Sequence, residues 1–139
     1  MFWDKTITLY NKSENEDGLI TWYRHKLEEC FWKQKKSGSD AGNVRTETDE
    51  GIIRIPAQAN YVSAYDWQNL SNAEKGEYMT LKKDDLIFLG DVSEEIDEYT
   101  AGKRSSDLIA KYKLLGSVSV VSVVINDFAP GAHYFVRGE

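Results

Sequence analysis

The chain has 139 residues, of which 41% are hydrophobic and 12% aromatic, and its formal net charge is −6. This length suits one domain with an ordinary core, and this composition excludes an intrinsically disordered chain. The acidic balance argues against binding of nucleic acid through phosphate neutralisation. The most apolar window, VSVVSVVI, is also far shorter than the roughly 20 residues that a membrane-spanning helix needs.

Two features of the sequence bear on the compartment of the protein. The opening residues MFWDKTITLYNK lack the basic and apolar segments of a signal peptide. Cys30 is the single cysteine, so the chain cannot form an internal disulfide, which fits a reducing compartment. We therefore expect a soluble protein without a membrane partner.

The first residues have the pattern of strands. Apolar residues alternate with threonines over residues 5–10, which predicts a half-buried strand. A polar run containing Gly18 predicts a turn. A second strand is expected over residues 19–25, continuing past a bend into residues 30–33.

The next segment is polar and then β-forming. Residues 33–43, KQKKSGSDAGN, have the composition of a mobile loop. Residues 44–56, VRTETDEGIIRIP, predict a hairpin that turns at Asp49-Glu50-Gly51 and ends at Pro56, which has no N–H for a strand ladder.

A long excursion without a strand pattern follows over residues 57–79. Ser71 is a candidate N-cap for a short helical turn in this segment. Long loops in compact domains are commonly functional, and aromatic side chains are typical anchors of protein interfaces. We therefore expect a contact loop whose candidate partner-contact residues are Tyr61, Tyr65, Trp67 and Tyr78.

The C-terminal half predicts a buried strand closed by Gly90, one short helix over residues 105–115, and strands over residues 118–125 and 133–137. Ser106 is the expected N-cap of the helix. Its apolar side chains recur at helical spacing and are Leu108, Ile109, Tyr112 and Leu115. With about seven strands, the fold class is mainly β: a small antiparallel β-barrel or sandwich, in a single domain over residues 1–139.

An acidic run follows the strand that ends at Gly90. Five carboxylates fall within eight residues, and they belong to Asp91, Glu94, Glu95, Asp97 and Glu98. An EF-hand starting at Asp91 would need Gly at position 6 and Glu at position 12, where Ile96 and Gly102 stand. We therefore expect a solvated or partner-facing acidic loop, which the basic pair Lys103 and Arg104 follows closely in the sequence.

The remaining chemistry-bearing residues do not predict an enzyme. His25 and His133 lie in predicted strands, and Cys30 lies beside aromatic residues, as a core thiol does. The chain has no C-x-x-C, G-x-S-x-G, P-loop or G-x-G-x-x-G motif. We expect no catalytic residues, no metal site and no cofactor.

The order of segments along the whole chain resembles one group of proteins. These segments are KTITLYNK, WYRHKLEECFW, IIRIP, YDWQNL, YMTLKKDDLIFLGDV, EEIDEYTAGKRSSDLIAKYK and HYFVRG. Together they resemble the small head–tail joining proteins, also called head-completion or minor capsid proteins, of tailed phages and prophages of Gram-positive bacteria. At Asp84-Asp85 the sequence departs from the pattern, which has Gly-Asp before the strand.

The resemblance implies a small β-barrel, many copies of which form a ring in the neck of the virion after assembly in the host cytoplasm. The implied partners are other copies of the chain, the portal or adaptor ring, and tail proteins, with DNA passing through unbound. In this setting, channel-facing carboxylates would repel DNA phosphates, and outward-facing ones would pair with Lys103 and Arg104 of the next copy.

Two other functions fit the same sequence. A tail completion protein would occupy the tail side of the same neck. A β-sandwich module that stacks exposed Trp and Tyr rings on carbohydrate would explain the aromatic content.

Overall fold

Six antiparallel strands form a closed barrel in the computed structural model. The structure describes the backbone of residues 3–41, 44–126 and 132–139, and their side chains except those of residues 35–41 and 44–49. Around the barrel the strands follow the order β1-β2-β3-β6-β5-β4, and β4 pairs back onto β1. Their bounds are β1 Lys5–Glu14, β2 Ile20–Ala41, β3 Val44–Pro56, β4 Leu86–Leu89, β5 Ser117–Asn126 and β6 His133–Gly138.

The barrel confirms the predicted mainly β class, and the alternating residues fill its interior. Ile7 and Leu9 of β1, Ile53 and Ile55 of β3, and Val136 of β6 are all fully buried. The two-residue period of a strand places their neighbours on the outer face of the barrel. In β1 this outer face is buried as well, since Thr8 and Tyr10 are 0% and 1% exposed, so the prediction of a half-buried strand is wrong there. The predicted bend in β2 is also present, at Glu29, whose φ is 57°.

The predicted hairpin at Asp49-Glu50-Gly51 is wrong. These residues lie inside β3, which runs without interruption from Val44 to Pro56. Gly51 serves close packing and not a turn, since a Cβ atom at this position would lie 2.5 Å from Cγ1 of Val118. A glycine that lets two strands approach has the same sequence signature as a turn glycine.

The predicted loop over residues 33–43 is wrong over residues 33–41, which continue β2, while residues 42–43 lie outside the described residues. The pairing of β1 with β2 stops at Cys30, and that of β6 with β3 begins at Gly51. Beyond these points β2 and β3 pair with each other as far as Ala41 and Val44. We call residues 35–41 and 44–50 the arm, a two-stranded extension of the barrel.

The described residues include three short helices, where the sequence predicts one helix and a short helical turn capped by Ser71. They are α1 Ala64–Gln68, α2 Asn72–Glu77 and α3 Ser105–Lys111. The N-cap of α3 is Arg104, not the expected Ser106, and the carboxylate of Asp107 accepts the backbone N–H of Arg104.

The helix α3 is also shorter than predicted. It ends at Lys111, and residues 112–115 form turns. Leu108 is buried and Tyr112 packs on the second core cluster, whereas Leu115 is 60% exposed. The apolar spacing therefore continues beyond the part of the segment that packs on the barrel.

The turn before β4 contains a buried carboxylate. Asp84 takes a φ of 74°, the conformation that glycine adopts most readily, so the turn forms without the glycine of the resembled pattern. Asp85 is fully buried and accepts hydrogen bonds from the backbone N–H of Lys12 at 2.9 Å and the side-chain amide of Asn11 at 2.8 Å. It also accepts the backbone N–H of Lys82 and pairs with the Lys82 ammonium.

A pH dependence of stability is expected from His25. Burial, with a smaller effect of the Arg24 charge, lowers the pKa of His25 from 6.5 to about 4. Between these pH values the unfolded chain binds a proton that the folded chain does not, so stability falls as the pH falls from 6.5 to 4. The full difference corresponds to about 3 kcal/mol.

The measurement is denaturant unfolding of the wild-type chain and of His25→Phe at several pH values. The variant keeps a flat ring but has no proton to bind, so we expect the difference in stability between the two proteins to change over this range. A difference that stays constant with pH would contradict the lowered pKa of His25.

Candidate functional site

The described part of the chain offers surfaces, not a recognisable chemical centre. No group of three His, Cys, Asp or Glu side chains in it is placed to share a metal ion. Burial raises the pKa of the Cys30 thiol to about 12, so this side chain is a core thiol, as predicted. Over the same residues, no helix has the length and apolarity needed to cross a membrane.

The excursion over residues 57–79 is folded and does not form a loose loop. It contains α1 and α2, and its two ends join where Tyr61 pairs with Met79 and Val62 N–H donates to the Met79 carbonyl at 2.9 Å. Ser63 caps α1, and Ser71 caps α2 as predicted. The segment therefore packs as a small helical layer against the barrel.

Trp67 is the centre of this layer and not a free contact residue. It is fully buried, its indole N–H donates to the Tyr78 carbonyl at 2.9 Å, and its ring meets Tyr23 edge to face. The ammonium groups of Lys75 and Lys82 lie 5.3 and 5.2 Å from the ring centroid. The expectation that Trp67 anchors a partner is thus wrong in the folded chain, because the helical layer covers it.

The other three aromatic residues of the excursion differ in exposure. Tyr61 stacks on Tyr134, with ring centroids 4.5 Å apart, and is partly buried. Tyr65 is 78% exposed and Tyr78 is 38% exposed. Of these three residues, Tyr65 and Tyr78 are thus the ones whose side chains are exposed to a partner.

The acidic run begins with a carboxylate held by β2. Asp91 accepts from the Arg24 guanidinium at 2.5 Å and lies 3.6 Å from the Lys26 ammonium. Val92 and Ile96, which separate the carboxylates, are buried in a second core cluster beneath the run. Alternating burial thus turns the carboxylates away from the core.

The next carboxylates of the run bind groups nearby. Glu94 accepts from the Tyr112 hydroxyl at 2.6 Å and the Lys111 ammonium at 3.0 Å, and these contacts lower the pKa of Glu94. Asp97 accepts from Thr100 and from the backbone N–H of Tyr99, which lowers the pKa of Asp97 and closes a turn.

The last carboxylate, Glu98, accepts from the backbone N–H of Ser105 at 2.6 Å. Glu95 is exposed and forms no ion pair with any described residue. The acidic run is therefore a well-structured loop in which Glu95 is the carboxylate left for a partner or a channel.

Lys103 and Arg104 are exposed, as a contact role requires. Lys103 also lines a hollow of about 290 Å³ together with Glu94, Glu95 and Lys111. Glu94 and Lys111 already form an ion pair at this hollow, whereas Lys103 and Arg104 form no ion pair with a described carboxylate.

One surface was missed by the sequence analysis, the outer half of β5. The pairing of β4 with β5 covers only Ser117, Val118 and Ser119. Past Val120, β6 is the only described strand that pairs with β5. We call residues 121–126 the β5 edge, and its exposed apolar side chains are Val121 at 44%, Val124 at 52% and Ile125 at 47%. The sequence identifies this strand but does not indicate that one side of it lacks a neighbour.

Comparison with known proteins places the chain in a family without assigning it a function. No curated protein and no solved structure matches it. Residues 2–139 match the model of DUF6751, a family of unknown function, and the chain belongs to that family.

Proposed function

We propose that this protein is a head–tail joining protein of a tailed phage or prophage. Copies of the chain form a ring between the portal or adaptor ring and the tail, which closes the DNA-filled head. The protein is a structural component of the virion neck, is assembled in the host cytoplasm, and has no catalytic role.

The observation that carries the proposal is the combination of a small closed barrel with a projecting arm. A closed barrel pairs the two outer strands of its sheet with each other, which leaves open strand edges only where a strand extends past its neighbour. The arm extends seven residue pairs past the last strand contact of the barrel, from Lys35 and Glu50 to Ala41 and Val44. Such an extension can reach an adjacent copy or the ring above or below.

The charges of the chain suit a neck through which DNA passes. The net charge is −6, and Glu95 is an exposed carboxylate of the acidic run. A carboxylate facing the channel repels phosphates, so DNA moves past without sticking. This role needs no specific binding of DNA.

The test is deletion of the gene in the phage or prophage that carries it, followed by electron microscopy of the particles. We expect heads that fail to retain DNA or to join tails, with normal particles restored by the wild-type gene. Normal tailed particles from the deletion strain would overturn the proposal. A labelled chain on finished tails that lack heads would instead identify a tail completion protein, and glycan binding without a neck defect would favour the carbohydrate module.

A further inference from the structure

We propose that the ring forms by strand addition: the β3 half of the arm of one copy pairs antiparallel with the β5 edge of the next copy. This inference rests on the proposed function, because it names the contact between copies in the ring. It does not depend on the identity of the partners above and below.

The β5 edge is an open strand. On the side of β5 that faces β4 and the turn before it, the last paired residue is Val120. Its carbonyl accepts from Asp84 N–H at 2.9 Å, and its N–H donates to the Asp85 carbonyl at 2.8 Å. Soluble proteins usually protect such edges with charges, prolines or a covering segment. Residues 121–126, VSVVIN, contain no charge and no proline, and three of their apolar side chains are exposed. An edge of this kind favours addition of a strand from another chain.

The arm supplies a strand of matching length. Over its seven residue pairs, β2 and β3 pair only with each other. In the described residues each half of the arm therefore has one unpaired side. Six or seven residues of extended chain span roughly 20 Å, which is the length of the β5 edge. Strand addition would therefore pair both open edges over their full length.

The arm and the β5 edge point in opposite directions within one chain. At one level of the barrel Gly51, Gly138 and Val120 are neighbours on adjacent strands. From this level the arm extends away from the barrel, whereas the β5 edge runs toward Asn126 and Pro56 at the other end. The arm of one copy is thus directed away from its own β5 edge, and a contact between two different surfaces joins copies head to tail, as in a ring.

Charge selects the antiparallel orientation. Lys83 is exposed next to the turn that pairs with Val120. The β3 half of the arm carries Glu47 and Asp49 near its barrel end and Val44 at its tip. Antiparallel pairing brings the end of the arm with Glu47 and Asp49 to Lys83, whereas parallel pairing brings the end with Arg45 there, next to a like charge.

The experiment is disulfide trapping in the concentrated, purified full-length chain. In the antiparallel register Thr46 lies opposite Val124, so the double variant with Thr46→Cys and Val124→Cys should give a ladder of oligomers on oxidation. A mixture of the two single variants should give heterodimers and stop there. Wild type is the control, since Cys30 is buried and its raised pKa of about 12 makes it unreactive.

A charge exchange supplies a second measurement. Lys83→Glu should lower the yield of the ladder several-fold, and Asp49→Lys in the same chain should restore it. Self-linked dimers of the Val124→Cys single variant would overturn the proposal in favour of pairing between two β5 edges, and absence of any link would also overturn it. If gene deletion causes a neck defect but no cross-links form between the cysteine variants, only this inference is overturned. If cross-links form but gene deletion causes no neck defect, only the proposed function is overturned.

Discussion

Replacing Trp67 with alanine is expected to destabilise the fold by about 3–5 kcal/mol, the range for large aromatic side chains removed from a core. Trp67 is fully buried, and it supports the helical layer from inside. Its loss leaves a cavity and leaves the Tyr78 carbonyl without its indole donor. The Lys75 and Lys82 ammonium groups also lose the ring over which they lie. Denaturant unfolding followed by circular dichroism measures the change.

Tyr65→Ala is the matched control, because Tyr65 lies in the same helix and is 78% exposed. We expect this variant to change stability by less than about 0.5 kcal/mol. If both variants unfolded at the same denaturant concentration as wild type, the helical layer would not contribute to the stability of the barrel. A Tyr65→Ala chain that is stable but no longer assembles would support Tyr65 as a contact residue.

The burial of Trp67 was not predictable from periodicity. α1 and α2 have five and six residues, so neither is long enough to repeat an apolar position at helical spacing. A tryptophan in such a short segment has the same local sequence pattern whether its side chain contacts a partner or is buried in the core. What distinguishes the two cases is contact with Tyr23, which is 44 positions earlier in the chain.

The strands were predictable where apolar residues alternate with others or form a continuous run. Alternation identifies β1 and the buried part of β3, and the apolar window identifies β5. The arm was only half predicted: residues 44–48 were expected as the first strand of a hairpin, whereas residues 35–41 were expected as a loop because of their polar and glycine-containing composition. Its strand structure comes from pairing with its partner strand, which leaves no period-two pattern.

The acidic run was identified from the sequence, but its chemistry was not. Composition marks five carboxylates, whereas their partners depend on the fold. Arg24 lies 67 residues before Asp91 in the chain, and Tyr112 lies 18 residues after Glu94. Because Asp91 and Glu94 are already paired with cations of the same chain, the charge available to a partner is smaller than the sequence suggests.

Asp85→Asn is expected to destabilise the protein by about 3–5 kcal/mol, the cost of removing one partner from a buried ion pair. The donors that reach this carboxylate come from three residues: Asn11, Lys12 and Lys82. An asparagine keeps the shape but presents an NH₂ group to donors, and it leaves the Lys82 ammonium without its counter-charge. These contacts tie β1 to the turn before β4, so the closure of the barrel depends on them. Chemical unfolding at neutral pH measures the effect.

Asp84→Asn is the control for this change, because it removes the same charge from the adjacent, exposed residue. Asparagine tolerates the φ of 74° at this position, so we expect little change in stability. Burial raises the pKa of Asp85, and the Lys82 charge and the hydrogen-bond donors oppose that rise. If Asp85→Asn were as stable as Asp84→Asn, Asp85 would be protonated in the native state and its ion pair with Lys82 would not hold the barrel closed. A large difference between the two variants would instead establish the ionised carboxylate as the group that joins β1 to β4.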